Sequence, residues 1–267
     1  MAVDQSPRAP NLPQVRRLEA VSFRAWPAAS VQYDGSWQVR LTGGHPSKRV
    51  NCVVALDRSD IRDIRLRLEK AERKFESYGR PMVFRETPLA PPQVIDVLRE
   101  DGWTRFDESL VMALDLAELC DLDVMDHLPT QDIGRFVDAS LALRNEDAAS
   151  KPALAELISN IKPPLGLFLI EVPDNGPVAA AICVQDNDLA GLLQLAVGEA
   201  HRGKGTGLEL TYAALRWARI RGAKSAWLQV QADNGPALSL YEKLGFKEAY
   251  RYCYWRHETA AKAEGEE

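Results

Sequence analysis

The chain has 267 residues, 46% hydrophobic and 27% charged, which is enough for one large or two modest domains of ~100–150 residues each. A net charge of −5 argues against a broad nucleic-acid surface or an anionic-membrane surface as partner. No apolar run approaches the ~18 residues of a membrane span, and the first residues lack the basic-then-apolar order of a signal peptide.

Residues 1–18 carry Pro7, Pro10 and Pro13 with little apolar content and read as a disordered tail. A first domain is expected over 19–118. Within it Asp34-Gly35 sits between strand-like residues 31–33 and 37–41, a hairpin signal, and 49–56 reads as a further strand. Ser59 is placed to cap a helix whose apolar residues Ile61, Ile64, Leu68, Ala71, Phe75 and Tyr78 recur three and four apart. Its other face carries Arg62, Arg65, Arg67, Lys70, Arg73 and Lys74, which reads as a solvated face rather than a binding patch. A strand at 82–86, a helix at 93–100, Gly102-Trp103 and a strand at 109–114 complete this domain.

The second domain, 121–258, opens with helices near 131–143 and 151–160, joined by the charged linker 144–150 and ended by Pro163-Pro164. Strands at 167–172 and 178–185 form a hairpin turned by Asn175-Gly176. After Asp186-Asn187-Asp188, the run 189–197 is continuously apolar except at Gly191 and Gln194 and reads as a buried strand. A helix then runs toward Gly222, a strand follows at 225–231, and Pro236 fits the first turn of another helix behind Asn234 or Gly235 as cap. A last strand covers 250–255, and the small, acidic residues 259–267 read as a flexible tail.

Between strand 189–197 and its helix lies Arg202-Gly-Lys-Gly-Thr-Gly207. Glycines spaced this way let backbone N–H groups point into one concavity, and the helix dipole, Arg202 and Lys204 add positive potential. Such a loop suits a polyphosphate. The Walker pattern is nearly met by Gly198 through Lys204 but fails at Gly205, where a magnesium-binding hydroxyl belongs. The alternative Arg-x-x-Gly-x-Gly is met by Arg202, Gly205 and Gly207 directly after a strand. Downstream, Asn234, Ala237, Leu240, Tyr241, Glu242, Lys243, Gly245 and Phe246 form a second pattern, N-x-x-A-x-x-L-Y-E-K-x-G-F.

The two patterns together resemble the signature segments of the GNAT superfamily of N-acetyltransferases over about 130–255. The resemblance implies an α/β fold with a mixed sheet, acetyl-CoA as co-substrate and no metal. It implies that the amides of Arg202, Gly203, Lys204, Gly205, Thr206, Gly207 and Leu208 hold the diphosphate. A splayed strand end at Leu195, Ala196 and Val197 would receive the pantetheine, and the Val197 N–H would polarise the thioester carbonyl. Asn234 would contact the cofactor or steady its turn. Tyr241 matches the general acid, its ordinary pKa of ~10 keeping it protonated; it also reads as a core aromatic, sharing a helix face with Ala237 and Leu244. For a base, the central strand offers only Gln194; Asp186, Asp188, Glu199 and solvent all stay open.

The first domain parallels the second in the order strand, helix, Gly-aromatic, strand. Leu98 then corresponds to Tyr241, and Asp57-Arg-Ser-Asp60 stands where the glycine loop would be. We read a tandem chain with a degenerate GNAT-like first half. The resemblance also implies that the paired helices at 131–160 close over the acceptor, a small-molecule or peptide amine, in a monomer or homodimer. The four cysteines are far apart without a CxxC pair and the four histidines are scattered, so disulfides and metal sites are not expected and a cytoplasmic setting is the default. The main rival is a non-catalytic acyl-CoA-binding or interaction module; a nucleoside triphosphatase is the other.

Overall fold

A computed structural model describes residues 10–119, 125–172 and 176–257. The expected tail at 259–267 and the hairpin residue Asn175 lie outside them, as does Cys120. The first element is a helix, α1 (Leu12–Ala25), so the disordered reading of 1–18 fails from Leu12 onward. Asn11 caps it by accepting the Gln14 N–H at 3.3 Å, and Pro13 is tolerated in the first turn, where its missing N–H costs nothing. The apolar residues Val15, Leu18, Val21 and Ala25 fall on one stripe and are buried.

There follow β1 (Ser30–Asp34), β2 (Trp37–Leu41), β3 (Cys52–Ala55), α2 (Ile64–Glu76), β4 (Val83–Glu86), α3 (Pro92–Glu100) and β5 (Trp103–Asp115). The second half adds α4 (Ile133–Arg144), α5 (Lys151–Ser159), β6 (Leu165–Val172), β7 (Gly176–Asp186), β8 (Leu189–Val197), α6 (Thr206–Ile220), β9 (Ser225–Gln231), α7 (Gly235–Lys243) and β10 (Lys247–His257). Ser59 does not cap α2. Its N–H and hydroxyl donate to Asp57 instead, and the helix begins after Asp63.

All ten strands form one mixed sheet in the order β1-β2-β3-β4-β10-β5-β9-β8-β7-β6. Exchanging each strand of the first half for its counterpart in the second reverses this order onto itself, which is a pseudo-twofold relation. The two central strands are traded. The last strand of the second half, β10, pairs with β4, and the last strand of the first half, β5, pairs with β9. The domain boundary read near residue 120 is therefore a boundary in sequence but not in the sheet.

Alternation along the central strands sorts the core into two faces. Tyr250, Tyr252 and Tyr254 of β10 and Val111 of β5 join α1, α4 and α5 on one face. On the other, Cys253 and Trp255 pack with α2 and α3, while Leu110, Met112 and Leu114 pack with α6 and α7. On the first face a buried ion pair of the first half is joined to the second half by a tyrosine hydroxyl. Arg85 of β4 donates two hydrogen bonds to Glu19 of α1, and the Tyr250 hydroxyl of β10 donates to the same carboxylate at 2.5 Å. Removing one partner from such a pair costs about 3–5 kcal/mol, because the other charge is left buried. Among the described residues no helix is long and apolar enough to cross a membrane.

Candidate active site

The site is made where β8 leaves its neighbour. β8 and β9 run parallel and pair only from Leu189 to Leu192. Gly191 sits in this paired part because the Trp227 ring covers it; a Cβ there would lie 2.5 Å from the ring. Beyond Leu192, Gln194 adopts φ +57°, and the register with β7 slips between Ile182↔Leu193 and Ala180↔Ala196. This bulge turns the strand away from β9. Gly198 N–H donates to the Val178 carbonyl at 2.9 Å, which puts the neighbouring Val197 at a position where the antiparallel ladder makes no bond. Val197 N–H and C=O therefore face the gap, and the carbonyl accepts from Arg202 Nε at 3.1 Å.

The loop then reaches α6 through Gly203 (φ +73°) and Gly205 (φ +88°), conformations that strain any residue with a Cβ. No side chain caps α6. Its first helical bond joins Glu209 N–H to the Gly205 carbonyl at 3.0 Å, so helix geometry leaves the amides of Thr206, Gly207 and Leu208 unclaimed. These donors, at the positive end of a helix of 15 residues, fit an anion. The neighbouring α7 differs, because Asn234 accepts the Ala237 N–H at 3.1 Å and closes its own first turn.

A cleft of about 760 Å³ lies between the free edge of β8 and the starts of α6 and α7. It is lined by Leu195, Ala196, Val197, Arg202, Gly203, Gly205, Gly207, Leu208 and Asn234, which brings nine of the expected residues to one surface. Lys204 is exposed in the loop, and the Thr206 hydroxyl turns back to within 3.5 Å of the His201 carbonyl. Tyr241 packs against Phe246 with ring centres 5.8 Å apart and is 8% exposed. Burial pushes its phenol up to about 12, with the positive charges of Arg144 and Arg49 pulling the other way. Both readings of Tyr241 keep a physical basis, since the ring is core and the hydroxyl feels two cations.

Those two arginines belong to a second cavity, of about 480 Å³, lined on one side by Gln194, Gln229 and Tyr252. The first half supplies His45, Lys48, Arg49 and Asp107, the end of α4 supplies Arg144, and the linker after it supplies Glu146 and Asp147. Arg144 and Glu146 line both cavities. This second hollow was not read from the sequence; its residues come from two loops 100 positions apart, and the charge in 144–147 is all that hinted at it. The carboxylates weighed as bases go elsewhere. Asp186 ends β7 and Asp188 stands in the turn before β8, about 25–30 Å of strand from Val197, and they pair with Arg24 and Arg17 of α1. The Glu199 side chain is 75% exposed and lies 3.8 Å from Arg202.

Comparison with known proteins adds to this geometry. Residues 135–246 match the model of the acetyltransferase (GNAT) family. An uncharacterized N-acetyltransferase of Bacillus subtilis, YobR, is 27% identical over 252 residues, covering 90% of this chain and 97% of its own. A GCN5-related N-acetyltransferase from Kribbella flavida has the same fold, with a TM-score of 0.69 at 19% identity over 91% of this chain and 95% of its own. A tandem GNAT protein from the clavulanic acid biosynthesis pathway aligns with a TM-score of 0.60 at 15% identity, over 94% of this chain and 90% of its own.

Proposed function

We propose, for a chain that belongs to the GNAT superfamily of N-acetyltransferases, that acetyl-CoA occupies the 760 Å³ cleft and that an amine reaches its thioester from the 480 Å³ cavity. The observation that carries this reading is the parting of β8 from β9 after Leu192, which leaves an open strand edge between the two hollows. Amides of Gly203 to Leu208 hold the diphosphate, and the edge from Leu195 to Val197 receives the pantetheine arm.

The amine attacks the acetyl carbon, a C–N bond forms and the C–S bond breaks. Val197 N–H stabilises the charge that gathers on the carbonyl oxygen. Tyr241 gives its proton to the departing thiolate. Glu146, on the wall common to both cavities, takes the proton that the amine loses. The first half holds no coenzyme, because Asp57, Asp60 and Asp63 stand in its counterpart of the glycine loop. Instead it walls the acceptor.

Calorimetry against acetyl-CoA and ATP, with thiol release over a panel of amines, tests the proposal. Binding of acetyl-CoA without ATP, and thiol release that needs an amine, are expected. Binding of acetyl-CoA with no thiol release from any amine favours a non-catalytic binding module and overturns the catalytic part.

A further inference from the structure

The acceptor cavity is lined by Lys48, Arg49 and Arg144 and by Asp107, Glu146 and Asp147. Lys48 is neutralised by its ion pair with Asp107. Arg49 is only partly exposed and makes no ion pair within 4 Å among the described residues. Arg144 is likewise partly buried; among the described residues its Nε has no hydrogen-bond partner, and its one side-chain bond is a long one, 3.5 Å to the Leu195 carbonyl. Two guanidinium groups, one from each half, thus line the same hollow with no carboxylate within 4 Å of either among the described residues, although Asp107, Glu146 and Asp147 share its wall. Burial lowers the pKa of Arg144; the charge of Glu146 opposes this and that of Arg49 adds to it.

Glu146 offsets this arrangement only in part, since among the described residues it makes no ion pair with either arginine. Partly buried like charges cost free energy unless an anion joins them. His45 does not relieve them. Burial and the charges of Arg80 and Arg49 push its imidazole down, and its Nδ1 already accepts the Ser47 N–H at 3.1 Å.

We infer that the acceptor is an amine that also carries an oxyanion, a carboxylate or a phosphate, and that Arg49 and Arg144 grip that oxyanion. Planar guanidinium forks match either oxyanion in a bidentate fashion. Glu146, near enough to Arg144 for their charges to interact, then faces the amino end. The acceptor is held by its anionic end against the first half with its nitrogen toward the cleft. This inference rests on the acetyltransferase reading above and adds the substrate class to it.

The test uses the full chain saturated with CoA and a calorimetric panel of matched pairs. These are amino acids against their carboxamides, and phosphoethanolamine against ethanolamine. The oxyanion-bearing member of at least one pair is expected to bind tighter by roughly tenfold to a hundredfold, the range of hydrogen bonds to charged groups. The two kinds of pair separate carboxylate from phosphate. Arg49→Gln should erase most of that preference and Arg49→Lys should restore part of it, with acetyl-CoA affinity unchanged and the melting temperature not lowered. A panel with no preference in any pair, or a preference that survives Arg49→Gln, overturns the inference. Failure of acetyl-CoA to bind at all would instead strike the acetyltransferase reading.

Discussion

After β3 the chain runs Asp57-Arg58-Ser59-Asp60 into α2, and after β8 it runs Arg202 through Gly207 into α6. The two turns hold equivalent places in the pseudo-twofold sheet. In the first, the Asp60 carboxylate accepts the Ser36 N–H and hydroxyl, both at 2.8 Å, and Arg67 Nη1 at 3.1 Å. A carboxylate thus fills the turn with negative charge. In the second, glycines with positive φ carry the chain; no side chain caps α2 or α6, so the turns differ in the charge that stands beside them. One topological slot can therefore hold a carboxylate of its own or be left open for a ligand's charge; the strand-to-helix geometry alone does not make an anion site.

The comparison is broken most severely by separating its members. Deleting residues 1–118 strips β5 and β4 from β9 and β10 and bares unpaired strand edges. The expected result is insoluble or unfolded protein by circular dichroism and size exclusion. A monomeric fragment with a cooperative melt would show that the halves need no exchanged strands.

Next come the loops. Gly205→Val forces a β-branched residue to φ +88° and should weaken acetyl-CoA binding by roughly tenfold to a hundredfold, the range of local backbone strain. Arg58→Ala, in the opposite turn, should leave that affinity unchanged by calorimetry.

Tyr241→Phe, compared with its counterpart Leu98, tests the acid. We expect kcat to drop about a hundredfold, with unaltered acetyl-CoA affinity. The phenol stays protonated until its raised pKa of about 12, so the donor is lost only as pH rises through that value. A Tyr241-dependent fall in kcat near the ordinary tyrosine value of ~10 would contradict this environment.

The smallest effect belongs to Asp60. Its hydrogen bonds from Ser36 and Arg67 overcome the opposing effect of burial and hold its pKa at about 2. The folded value is depressed, so its contribution is complete above the ordinary carboxylate value of ~3.9 and disappears as pH falls through about 2. Asp60→Asn should cost about 1–3 kcal/mol in urea denaturation at neutral pH and leave acetyl-CoA binding untouched.

Much of the second half could be read in advance because its signals are local. The bounds 189–197 and 225–231 match β8 and β9, since an apolar run and the adjoining turns fix both ends. The repeated Gly-aromatic steps at Gly102-Trp103 and Gly245-Phe246 do follow equivalent helices, with both glycines at positive φ. Other features depended on distant partners. α1 is hard to read because Pro13 and the charges dilute an apolar stripe whose partners, in β7, β8 and β10, are distant in sequence. The traded strands were invisible, because β5 and β10 carry similar alternation and pairing is chosen by the whole sheet. The acceptor cavity joins loops that no short pattern links, and Glu146 gained a role only when α4 brought it beside the bulge at Gln194.

Solving the full chain with acetyl-CoA bound tests the central claim most directly. The account requires the diphosphate oxygens within hydrogen-bonding distance of the amides between Gly203 and Leu208, and the thioester beside Val197. A diphosphate resting near Asp60 at the start of α2, or held by side chains away from α6, would contradict it.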